Sequence, residues 1–209
     1  MNISKAIITA AGFGSRFLPI TKSFPKEMLP IIDKPIIHHL VDECAAAGVA
    51  EVIIVASPAE VEKFEDYFFG RAINIRTLMI RQHKLERWSK VEKVFALPQI
   101  TIVPQDETIP YGNGRPLLTV KDLLTHEEAF LVMFGDDLVV SETSAARQLV
   151  DFYQQNPCDA LFAVQEVTAD QVDRFGIVEP EGETNVVRSI MEKPETGKAP
   201  SNLASYGRY

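Results

Sequence analysis

Cysteine is scarce in this sequence: Cys44 and Cys158 are the only two in 209 residues, and their separation fits neither a disulfide framework nor a zinc site. A reducing compartment, the cytoplasm, is the expectation. Histidine is sparse as well. His38 and His39 are neighbours that diverge by about 100° on a helix, and His83 and His126 stand alone, so ordinary core or surface histidines are expected rather than a metal set. No apolar run approaches the roughly 18 residues of a membrane span, and no cationic stretch followed by an apolar one opens the chain. Membrane association and secretion are therefore not expected. Excess positive charge is missing too: a net charge of −8 argues against nonspecific nucleic-acid binding, which needs lysine and arginine to displace counterions. The absence of a Ser/His/Asp or Cys/His pattern disfavours acyl transfer and covalent catalysis. Internal repeats, low-complexity tracts and Gly/Ser-rich linkers are lacking, so residues 1–209 read as a single domain.

What the chain does have is a globular composition, 46% hydrophobic and 24% charged. "KAIITA" and "EVIIVA" are short apolar runs suited to buried strands. Between them "PIIHHLVDECAAAG" places Ile36, Ile37, Leu40, Val41 and Cys44 on one helical face, with Pro35 at the start and Gly48 at the stop. "PAEVEKFEDYF" predicts the next helix. This alternation implies an α/β fold, a Rossmann-like, mostly parallel mixed sheet flanked by helices. The basic segment 71–97 reads as a mostly helical, solvated insertion, with a partner- or nucleotide-binding face as the alternative. "ITIVPQ" follows as a strand and "RPLLTVKDLL" as a helix. "AFLVMFGDD" is apolar enough for the sheet centre. A helix over 143–155 and strands at "DALFAVQEV" and "VVRSIMEK" complete the pattern.

Charge is unevenly spread: residues 1–34 carry +3, leaving −11 for the remainder, which suits a small polyanionic ligand. At its centre lies "AAGFGSRFLPITKSFPKEMLP", in which glycines offer bare backbone amides, three prolines forbid a long helix, and Arg16, Lys22 and Lys26 add positive charge. It matches neither the dinucleotide fingerprint nor the P-loop, and a GxG alone often serves only a turn. Three further stretches carry chemistry. Asp136 and Asp137 end an apolar strand, where one carboxylate suffices for Mg²⁺ beside phosphate oxygens, although a turn or capping role fits either residue. "PYGNGRP", with Gln105 upstream, offers donors and acceptors for the edge of a base, or is a plain loop. Glu192 and Lys193 of "MEKP" suit sugar hydroxyls and a phosphate, or an exposed ion pair.

Taken together, "AAGFGSRFLPITKSFPKEMLPIIDKPII", "YGNGRPL", "FGDD", "RFGIVE" and "EKPETGKAPSNLASYGRY" resemble, in order and over essentially the whole chain, the bacterial UTP–glucose-1-phosphate uridylyltransferases of the sugar-nucleotide pyrophosphorylase superfamily. The resemblance implies a nucleotidyltransferase that joins UTP and glucose 1-phosphate into UDP-glucose and pyrophosphate, with Mg²⁺. It implies that Ala10, Ala11 and Gly12 face the base, that Gly14, Ser15, Arg16 and Lys26 handle the triphosphate, and that Glu27, Gln105 and Gly112 hold uridine. Asp136 aligns with the magnesium aspartate, and Gly176, Glu192 and Lys193 with positions that contact the hexose and its phosphate. Arg16, Lys26 and Lys193 are thereby the expected catalytic cations. This chain departs from the pattern in several places. Ser15 replaces a threonine, Asp137 an apolar residue, and Arg115-Pro116 a His-Ala pair, while the spacing from Gln105 to the glycines is two residues longer. Family members also continue past the "GRY" strand into a segment that supplies a second acidic metal ligand and helices for oligomer formation. A fragment of a longer protein or a natural short form is the expectation, with a homo-oligomer in the full-length form. The alternatives are a relative using dTTP or another hexose 1-phosphate, and a nucleotide-sugar-binding module without turnover.

Overall fold

The computed structural model describes residues 3–195 and 197–209. The chain opens with strand β1 (Lys5–Ala10) and runs through a long loop to a small hairpin, β2 (Pro30–Ile31) and β3 (Lys34–Pro35). Helix α1 (Ile36–Ala46) leads to β4 (Glu51–Ala56), α2 (Val61–Phe69), α3 (Ile73–Arg81) and α4 (Ser89–Phe95). Next come β5 (Gln99–Pro104), α5 (Arg115–Thr119), β6 (Leu131–Phe134) and α6 (Ala145–Gln155). The last strands are β7 (Val164–Glu166), β8 (Gly176–Pro180), β9 (Val187–Glu192) and β10 (Leu203–Ser205).

The first half builds a parallel sheet in the order β5-β4-β1-β6. Strand alternation sorts its side chains into two cores. Ala6, Ile8, Val52 and Ile54 meet the apolar faces of α1, α2 and α6 through Leu40, Phe64 and Leu149. Ile7, Ile53, Val55 and Val132 face the other way, onto Val120 and Leu124. Both faces are covered, so β1 is apolar over residues 6–8 and β4 over residues 52–56 with no polar residue between. Helix α1 stops as its sequence predicts: Gly48 takes φ 85°, and the amides of Gly48 and Val49 bond to the carbonyls of Ala45 and Cys44, the Schellman pattern.

The second half gathers the antiparallel strands in a separate sheet, β7-β10-β8-β9. The α/β class holds, with parallel and antiparallel parts divided between two sheets. The apolar "LVMF" run of β6 lies at the end of the parallel sheet, not in its centre. Its outer side is covered instead by the terminal segment, where Val132 and Tyr209 exchange backbone hydrogen bonds and Phe134 N–H donates to Gly207. Segment 71–97 is broken into α3, a 3-10 turn at Leu85–Trp88 and α4, with little buried except Trp88. "RPLLTVKDLL" forms one five-residue helix followed by a 3-10 turn, and "DALFAVQEV" is extended in a ladder only over β7. No helix among the described residues is long and apolar enough to cross a membrane.

Candidate active site

The loop that leaves β1 contains three 3-10 turns, Ser15–Phe17, Ile20–Lys22 and Lys26–Met28, and no longer helix or strand. Gly14 sits at φ 61°, and a Cβ there would lie 2.9 Å from the Thr21 methyl, whose hydroxyl donates to the Gly14 carbonyl. The loop thus folds back and brings Lys26 over Gly12. A Cβ on Gly12 would meet the Lys26 Cε at 3.0 Å.

A polar cavity of about 380 Å³ opens at the carboxyl ends of β1, β5 and β6, the crevice where open parallel sheets bind ligands. Ala11, Gly12, Arg16 and Lys26 line it from the first loop, Gln105 and Gly112 from the loop after β5, and Arg115 from the start of α5. Asp136 closes it at the end of β6, and Lys193 reaches it from the second sheet. Lys193 has φ 45°, a left-handed conformation that costs a lysine about 1 kcal/mol or more. Its backbone amide is held there by the Phe175 carbonyl at 2.9 Å.

Lys26 is the electrostatic hub. Its Nζ lies 2.5 Å from Asp136 Oδ2 and 3.3 Å from Glu27 Oε1. Burial alone would lower the ammonium's pKa, but Glu27 and Asp136 outweigh it and hold the group above the ordinary lysine value, so it is charged at neutral pH. Glu27 has no accessible surface, and burial raises its pKa against the pull of Lys26. Its oxygens lack hydrogen-bond partners among the described residues, the ammonium being within ion-pair range but off a hydrogen-bond line.

One crevice therefore collects eight of the predicted residues: Ala11, Gly12, Arg16, Lys26, Gln105, Gly112, Asp136 and Lys193. The others lie around it. Ala10 is buried at the end of β1, and Gly14 and Ser15 shape the back of the loop. Glu27 is sealed beneath Lys26, away from any ligand in this conformation, because the turn at Lys26–Met28 directs it inward. Gly176 and Glu192 are register partners in β8 and β9, with the Glu192 carboxylate 3.1 Å from where a Gly176 Cβ would stand. They flank Lys193 rather than line the cavity.

Sequence reasoning missed Tyr111 and Asn113, which also line the cavity, although both belong to the "PYGNGRP" loop it had marked. It also missed the buried pair of Glu43 and Arg208. The signal for Glu43 was a charged residue on the apolar face of α1, between Leu40 and Cys44.

The donor set fits a hard divalent cation in one respect. Asp136 lines the cavity and already holds a cation, the Lys26 ammonium, on Oδ2, and the cavity walls are polar. Mg²⁺ needs one or two carboxylates and takes its other ligands from phosphate and water.

Residues 5–209 match the nucleotidyl transferase family model. The chain belongs to that family. It is 40% identical to a UTP–glucose-1-phosphate uridylyltransferase of Bacillus subtilis (strain 168), an alignment that covers 99% of this chain and 70% of the relative. Among solved structures, a UTP-bound UGPase from Acinetobacter baumannii superposes with a TM-score of 0.88 at 31% identity, over 99% of this chain and 73% of the other. A UDP-glucose pyrophosphorylase complexed with UDP-glucose gives 0.81 at 34% identity, over 99% and 75%.

Proposed function

We propose that this nucleotidyltransferase chain transfers the uridylyl group of UTP to glucose 1-phosphate. The observation that carries this is the crevice lined together by Ala11, Gly12, Arg16 and Lys26 of the first loop and by Asp136, with Lys193 arriving from the second sheet. Relatives and structural neighbours bearing UTP and UDP-glucose in their names support the same substrates.

An oxygen of the sugar phosphate attacks the α-phosphorus of UTP; the new P–O bond forms as the bond to the bridging oxygen breaks, and pyrophosphate leaves with the electron pair. The nucleophile is already ionised, so no general base is required. Catalysis is positioning plus charge neutralisation. Gln105 and the backbone at Gly112 meet the base, Arg16 and Lys26 take up the negative charge that grows on pyrophosphate, and Lys193 orients the sugar phosphate. Asp136 would hold Mg²⁺, which supplies Lewis-acid neutralisation of phosphate oxygens when bound.

The test is pyrophosphate release on incubation with Mg²⁺, UTP and glucose 1-phosphate, against a panel containing dTTP and other hexose 1-phosphates. Turnover fastest with the named pair is expected. UTP binding without release would turn the assignment to a binding module, and lack of UTP binding would remove it.

A further inference from the structure

We infer that Asp137, Arg208 and Glu43 form a positioning unit that fixes the turn carrying Asp136, a role that rests on the proposed Mg²⁺-nucleotide site. None of the three lines the cavity. Asp136 sits inside the turn Phe134–Asp137, closed by the Asp137 amide donating to the Phe134 carbonyl at 3.3 Å. On its upstream side the Gly135 amide is tied to the Thr9 carbonyl of β1 at 2.9 Å. On its downstream side two bonds reach the terminal segment. The Gly207 amide donates to the Asp137 carboxylate at 3.0 Å, and an Arg208 terminal nitrogen donates to the Asp137 carbonyl at 2.7 Å.

Arg208 is itself fixed. It has no accessible surface, and its Nε and a terminal nitrogen grip the two Glu43 oxygens at 3.0 and 2.8 Å. Glu43 Oε1 also accepts from the Ala146 amide in the first turn of α6. The planar guanidinium thus transmits the position of α1 and α6 to the backbone beside Asp136. A buried ion pair is a poor stabiliser compared with apolar residues of the same volume, so its use here points to geometry. The Asp137 carboxylate, accepting from the Gly207 amide, adds a second clamp on the same turn.

Asp137→Ala removes the clamp to Gly207 while leaving the cavity walls intact, and Asp137→Asn keeps an oxygen acceptor for that amide. UTP affinity is measured by calorimetry with Mg²⁺ and again with a chelator, and thermal melts follow folding. In the unaltered chain Mg²⁺ should tighten UTP binding. In Asp137→Ala that gain should shrink about tenfold while the Mg²⁺-free affinity changes less than twofold, and Asp137→Asn should restore it. Arg208→Lys should act in the same direction as the alanine variant. An Asp137→Ala protein that melts lower but keeps its full Mg²⁺-dependent gain overturns the positioning role, leaving a purely structural one. If the unaltered chain binds UTP with no gain from Mg²⁺, the metal assignment of Asp136 falls, and this inference with it.

Discussion

The two sheets meet at one crevice but are built differently. In the parallel sheet Ile7, Ile8, Ile53 and Ile54 have no accessible surface, and helices or turns cover both faces. In the antiparallel sheet the buried cluster is Val172, Ile177 and Ala204, and β9 is exposed along most of its length. The cations they contribute differ in the same way. Lys26 is held between two carboxylates, one of them fully buried, whereas Lys193 pairs with Glu192 on the surface at 3.2 Å. A charge held in a low-dielectric site is preorganised, and a surface pair holds its side chains only weakly. On the proposed function, the part of the crevice built by the first loop, which would take the nucleotide half of the reaction, is thus fixed before substrate arrives, and the part reached by Lys193, which would take the sugar half, can adjust around it.

Removing the hub should break that comparison hardest. Lys26→Ala is expected to lower kcat about 100- to 1,000-fold, the scale of losing one preorganised electrostatic group. Folding should suffer far less, since Glu27, whose pKa is already raised by burial, can take up a proton when its counterion is gone. Steady-state kinetics beside a thermal melt would check this; a mutant as active as the parent would remove Lys26 from the mechanism. Packing offers the next contrast. Ile54→Ala in β4, which has no accessible surface, should cost about 3 kcal/mol of stability, while Ile190→Ala in β9, which is 46% exposed, should cost about 1 kcal/mol or less. Equal shifts in denaturant midpoint for the two would mean that the sheets do not differ in the way their burial implies.

The same division governs how much could be read from sequence. β1, α1 and β4 were legible because buried parallel strands and a capped amphipathic helix leave local signals: "KAIITA", "EVIIVA", and Gly48 after the α1 stripe. The crevice was legible where glycine and cation lie close in sequence, as at Gly12, Arg16 and Lys26. β7 and the exact extent of α5 were not, because their pairing partners and packing surfaces lie far away in the chain. β6 was misplaced for a related reason: its apolar run is explained by Tyr209 and the terminal segment, a contact no local pattern announces. Arg208 escaped notice because an arginine read from sequence looks solvated until Glu43 is seen facing it.

A smaller effect is expected at Lys193. Truncation to alanine should raise KM for the sugar phosphate about tenfold, a loss of about 1.4 kcal/mol, and leave the melting temperature unchanged because its ion pair is a surface one. A fall in kcat as large as that of Lys26→Ala would instead place Lys193 on the charge that develops in the transition state, and the sugar half would then be as preorganised as the nucleotide half.

The smallest effect concerns charge on the flank of the parallel sheet. Asp42 lies on α1 with Lys34 Nζ at 2.7 Å and His38 Nε2 at 3.5 Å. Burial alone would raise its carboxyl pKa, but the hydrogen bonds and charges of His38 and Lys34 more than offset this and lower it from 3.8 to about 2. A folded-state value below the unfolded one means that the carboxylate's contribution is complete above about pH 4 and drains away as pH falls through about 2. Asp42→Asn should therefore melt slightly below the parent near pH 6, with the gap closing on acidification; because Asp42 is well exposed, solvent screening keeps it small. A gap that stays constant down to pH 2 would show that the aspartate acts through shape rather than charge, and that the flank of the parallel sheet is no better organised electrostatically than the open face of β9.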